Sequence, residues 1–98
     1  MATVKDTLAQ NEYVEIDIPT DTSCDAAVRT SAGSVELRGT VDGVNYDVIG
    51  LGPSAGGAVV LALAAAGSAT AFVGGFEKIR AIKTTAGNAD VALSITHR

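Results

Sequence analysis

From Tyr13 onward the chain repeatedly alternates apolar and polar positions. In YVEIDIP, Val14, Ile16 and Ile18 share one face, while Tyr13, Glu15 and Asp17 share the other. That is the period of a strand with one buried side. Pro19 cannot donate to a sheet ladder and ends the run. TDTS reads as a turn, and CDAAVRT alternates again with Cys24, Ala26 and Val28 together. SAG at residues 31–33 is a tight connection. SVELRGTVDGVNYDVIG then has the form of a hairpin around an Asp-Gly turn. Val35, Leu37 and Val41 fall on its inner face, and Glu36, Arg38 and Thr40 lie opposite. Gly39 sits on the inner face, where a bulge or a close backbone approach is expected. Tyr46 and Val48 share a face on the return, and LGPSAGG is a loop.

The last third repeats the pattern. In FEKIRAIKTT, Glu77, Ile79, Ala81 and Lys83 have one parity and Phe76, Lys78, Arg80 and Ile82 the other. AGN at residues 86–88 is a turn, and Val91, Leu93 and Ile95 align in the closing run. No segment combines helix caps with helical periodicity. Short strands at this spacing, with turn signals between them, predict an all-β fold. The expected form is an antiparallel β-sandwich of jelly-roll or Ig-like type with about eight short strands. Residues 1–10 read as an N-terminal arm or edge strand, and 11–98 as a single sandwich domain.

One stretch fits less simply. AGGAVVLALAAAGSATAFVGGF, residues 55–76, has no charge and is long enough to span a bilayer as a helix. Its strong hydrophobes are only Val59, Val60, Leu61, Leu63, Phe72, Val73 and Phe76. On the insertion scale they supply about −2 to −4 kcal/mol in all. Its five glycines each disfavour helix by about 1 kcal/mol relative to Ala. The pattern favours two strands, AVVLALA and ATAFVGGF, joined by a turn at AAGS. Ala and Gly side chains would leave a flat, uncharged face, a liability unless another subunit covers it. Val59, Leu61, Leu63, Ala69, Ala71 and Val73 are therefore candidate interface residues. Met1, Val4 and Leu8 of the arm join them.

Composition narrows the chemistry. Hydrophobic residues make up 47% of the 98 positions but aromatics only 4%, so Val, Ile, Leu and Ala must build the core. The net charge of −4 argues against nucleic-acid binding by bulk electrostatics. The charge is uneven: residues 1–47 hold nine acids and three bases, and residues 77–98 hold two acids and four bases. Opposite ends could attract within one fold or between neighbouring subunits. Cys24, the single cysteine, excludes an intrachain disulfide and reads as a buried thiol. MATVKDTLAQNEY has no apolar h-region, so no signal peptide is expected.

Catalytic groups are scarce. His97 is the only histidine, too few for a triad or a zinc site with its partners. Glu15 and Asp17 alternate on a polar strand face, which is ordinary solvation. Asp42, Asn45 and Asp47 sit near one turn but lack the ligand count of a calcium loop. GLGPSAGG matches neither phosphate-binding fingerprint. Lys78, Arg80 and Lys83 read as outer-face charges. No enzyme activity, cofactor or metal is expected.

The layout does resemble a known group. Gly39-Thr40-Val41-Asp42-Gly43-Val44-Asn45-Tyr46, then Phe76-Glu77-Lys78-Ile79-Arg80, then the turn at Ala86-Gly87-Asn88, is similar to small bacteriophage virion proteins of the β-sandwich decoration, fibre or tail-associated type. The resemblance covers about residues 34–97. It implies location in a virion assembled in the host cytoplasm, and a major capsid or tail protein as partner. It also implies a homo-oligomeric or lattice-bound state and no active site. Similar patterns occur in carbohydrate-binding modules, which makes an adhesion module the rival expectation. Tyr stands here where Trp is common, and the chain has no Trp. A small membrane protein spanning 55–76 is the third.

Overall fold

The computed structural model describes residues 2–19 and 23–97. Within them run nine strands: β1 (Ala2–Leu8), β2 (Tyr13–Asp17), β3 (Cys24–Thr30), β4 (Val35–Thr40), β5 (Asp47–Ile49), β6 (Gly52–Pro53), β7 (Gly67–Phe72), β8 (Lys78–Lys83) and β9 (Ala89–His97). They form a five-stranded sheet in the order β1-β9-β3-β7-β6 and a four-stranded sheet in the order β2-β8-β4-β5. Every pairing is antiparallel. The protein is an antiparallel β-sandwich.

Alternation places the core. Val14 and Ile16 of β2, Ile79 and Ala81 of β8, and Val35 and Leu37 of β4 point inward from the smaller sheet. Val91, Leu93 and Ile95 of β9, with Cys24, Ala26 and Val28 of β3, meet them from the larger one. Each buried Val, Leu or Ile is worth about 1.5–3 kcal/mol relative to exposure. β1 is a full edge strand, in register with β9 from Ala2↔Ile95 to Leu8↔Ala89.

Several expectations need correction. The run AVVLALA is not a strand. It is irregular chain held by two isolated bridges, Val60 to Leu51 and Leu63 to Val35, and β7 starts at Gly67, inside the expected turn. Gly56 and Gly57 adopt φ values of +93° and +101°, open only to glycine at little strain, and reverse the chain there. Leu63 then plugs the core while its neighbours stay outside. No helix among the described residues is long and apolar enough to cross a membrane.

Next, Val41 is 70% exposed, whereas Thr40, assigned to the polar face, is fully buried. β4 ends at Thr40 and the following turn folds over it: the hydroxyl donates to Asp42 Oδ1 (3.0 Å) and accepts from Gly43 N (2.9 Å). Leu51, placed in a loop, is fully buried beside the two-residue strand β6.

Lys83, read as an outer charge, is 1% exposed. It shares the inward parity of Ile79 and Ala81 at the end of β8, so its stem is core. Its Nζ reaches the β8–β9 turn and donates to Thr85 O (2.8 Å), Thr85 Oγ1 (2.8 Å) and Ala86 O (3.4 Å). At Gly39 the ladder runs on without a bulge, and the close approach is by side chains. A Cβ there would stand 2.6 Å from Phe76 Cδ1 and 2.9 Å from Ile49 Cδ1. The TDTS turn lies largely outside the described residues.

Candidate functional site

Two sheet faces look outward, and their chemistry differs. On the four-stranded sheet, register sets Glu15 of β2 opposite Arg80 of β8, and Arg80 opposite Arg38 of β4. Two arginines side by side would repel, and each is neutralised by its own acid. Arg80 donates to Glu15 Oε2 through Nε (3.0 Å) and Nη2 (2.7 Å). Arg38 donates through Nε to Glu36 Oε1 (3.1 Å). The Tyr46 hydroxyl donates to the same Glu15 oxygen (3.0 Å). The Arg80 guanidinium lies between two rings, 4.0 Å from the Tyr13 centroid and 3.6 Å from that of Tyr46.

Electrostatics follow from this geometry. Burial alone would raise the Glu15 pKa. The hydrogen bonds from Arg80 and Tyr46, with the charges of Arg80 and Lys78, outweigh it, and the carboxyl titrates below its ordinary range. Burial likewise opposes the charge on Arg80, but the Glu15 bond and the surrounding charges raise its pKa. Tyr46 is pushed up, first by burial and then by its bond to Glu15. The cluster is self-satisfied, and each tyrosine offers one ring face to Arg80 rather than to a ligand.

On the five-stranded sheet the outward side chains are small or polar apart from Phe72, which is 51% exposed. Lys5 of β1 and Arg29 of β3 both register with Ala92 of β9. They flank an open groove of about 820 Å³, lined also by Thr7, Thr30, Ser31 and Asp90. Asp90 accepts from the Thr7 hydroxyl (2.6 Å), and its backbone N–H donates to Ser31 Oγ (2.8 Å).

The proposed interface residues separate. Val59 and Leu61 are exposed, at 69% and 67%. Val4 and Ala71 are half-buried and pack on the core. Leu8, Leu63, Ala69 and Val73 are core residues, and no partner can reach them in this fold. The parity of β7 explains this: Ala69 and Ala71, with Val73 just past the strand, face the core. Ser68, Thr70 and Phe72 take the outer face. Met1 lies outside the described residues.

Sequence reasoning missed the exposed apolar residues of the β4–β5 hairpin, Val41, Val44 (78% exposed) and Val48. The Asp-Gly turn was a usable signal, since residues flanking such a turn point into solvent. Asp42 caps this turn. Its carboxylate accepts from Val44 N (2.8 Å), Asn45 N (2.8 Å) and Asn45 Nδ2 (2.9 Å). Those bonds, the two backbone N–H groups foremost, drive its pKa far down.

No protein-family model matches the chain, and no curated protein matches it. Solved structures do share its fold. The SPBc2 prophage-derived protein YomS superposes with a TM-score of 0.67 at 10% identity, over 100% of this chain and 96% of that one. A chain from Bacillus endospore appendages, described as a novel family of disulfide-linked pili, superposes with a TM-score of 0.51 at 16% identity. That likeness covers 95% of this chain and 85% of that one. At such identities the likeness is one of fold.

Proposed function

We propose that this chain is a non-enzymatic structural protein of a bacteriophage particle, a capsid decoration or head–tail-associated subunit that acts through subunit interfaces. The observation that carries the reading is the end-to-end fold likeness to a prophage-derived protein. The likeness to a pilus-forming chain supports assembly as its mode of action. The surface is consistent with both: the polar cluster around Arg80 is closed on itself, while apolar residues stand out at the β4–β5 hairpin and at Val59 and Leu61.

Assembly of this chain would be non-covalent. One cysteine per subunit can link at most two copies, and Cys24 is fully buried. The test is the composition of density-purified particles from a host carrying the gene. The chain should appear in fixed stoichiometry with a major capsid or tail protein. Particles that lack it overturn the reading. The rival, a carbohydrate-binding module, has one observation in its favour, two tyrosines on one sheet face. Arg80 fills the space between them, so a glycan array should stay at background.

A further inference from the structure

We propose that the groove around Lys5 and Arg29 receives the β4–β5 hairpin tip of a second copy, so that the chain self-associates head to tail. The inference rests on the assembly reading above and names the surfaces that carry it.

The first observation is an imbalance of partners. Arg38, Lys78 and Arg80 are paired with Glu36, Asp17 and Glu15, and Lys83 is held by the β8–β9 turn. Among the described residues, Lys5 and Arg29 are the exposed cations left without an acid. They stand two strand spacings apart, about 10 Å, with only the Ala92 methyl between them. Two carboxylates face the same groove. Asp6 accepts from Thr7 N and Asp90 from the Thr7 hydroxyl, and neither forms an ion pair with Lys5 or Arg29.

The second observation is a matching surplus elsewhere. Among the described residues, Asp42, Asp47 and Glu77 have no cation partner, and all three are exposed. Asp42 and Asp47 bracket the hairpin tip, and a methyl group on Gly43 would sit 3.5 Å from Glu77 Oε1. Val41 and Val44 stand out from the same tip. Four hydrogen bonds to the Asp42 carboxylate fix its shape, so little conformational entropy is lost when it is bound.

The third is placement. The groove lies toward the end of the sandwich where Ser31 N bonds Asp90 O and Lys83 N bonds Glu12 O. The tip lies at the other end, where Glu77 N bonds Thr40 O and Val73 N bonds Cys24 O. The two surfaces also belong to different sheets. One copy can therefore offer both at once, and such heterologous contacts build rings or filaments rather than closed twofold dimers.

The test is charge reversal with sedimentation velocity, with circular dichroism confirming the fold of each variant. Wild type should show a concentration-dependent rise in sedimentation coefficient at low salt that is lost near 1 M NaCl, where the screening length falls to about 3 Å. Lys5→Glu/Arg29→Glu alone, and Asp47→Lys/Glu77→Lys alone, should sediment as monomers. An equimolar mixture should associate again, because each variant's altered surface complements the other's. If wild type associates but both variants associate equally well, this interface is overturned and the assembly reading stands. If wild type stays monomeric at every concentration, self-association itself falls, whatever particle composition shows.

Discussion

Lys83 sets the residue scale. A fully buried ammonium without a carboxylate loses its hydration, and three oxygens of the β8–β9 turn replace it. The four-carbon stem meanwhile packs as core, as long cationic side chains often do. Lys83→Met keeps that packing and removes the desolvation penalty along with the bonds. It should cost no more than about 1 kcal/mol, whereas Lys83→Ala should cost about 2–4 kcal/mol. Urea unfolding of both variants checks the order, and the reverse order would make the ammonium bonds dominant.

Glu15 gives a second residue-scale outcome. Its folded pKa lies below the ordinary value. The unfolded chain therefore takes up the proton first as pH falls, and the stability that Glu15 contributes is lost in acid. Glu15→Gln should flatten the decline of the urea midpoint below about pH 4.5, near the ordinary carboxyl value. Some decline should remain, because Asp42 is depressed as well. An unchanged slope would mean that Glu15 titrates as in the unfolded chain.

At the scale of elements, the irregular segment between β6 and β7 decides most. It hangs on Leu63, 7% exposed, whose backbone exchanges two hydrogen bonds with Val35 (2.8 and 3.1 Å). Leu63→Ala should cost about 2–4 kcal/mol, and Leu61→Ala, two residues away in solvent, within about 0.5 kcal/mol of nothing. Thermal denaturation distinguishes them, and equal losses would refute the anchoring role. The sheet edges tell a related story. β1 carries exposed Lys5 and Asp6, β6 is two residues with Pro53, and β5 is three residues long. Short, charged or proline-bearing edges resist strand addition. Association through side-chain surfaces therefore fits this sandwich better than growth of its sheets.

At the scale of the molecule, the buried position of Cys24 has an experimental consequence: reductant should leave the sedimentation behaviour unchanged, and so should Cys24→Ala. A shift on reduction would point to a disulfide that requires local opening. The same scale shows what was readable in advance. Side-chain direction alternates locally along a strand, so the apolar positions of β2, β3 and β9 determined on their own which faces are buried. The amino-acid order also settled the Asp-Gly hairpin and the all-β class. It could not settle strand neighbours, which depend on chain ends meeting across the fold. Only the tertiary structure put Ala69 and Val73 inside, since a small apolar side chain suits a core and a bare surface equally well. It alone buried Lys83, because that depends on a turn being within reach of the ammonium. It alone brought Glu15, Arg80, Tyr13 and Tyr46 into one cluster and sent the Lys5 groove and the acidic tip to opposite ends. Those placements follow from pairing registers between residues far apart in the chain, which no local pattern encodes.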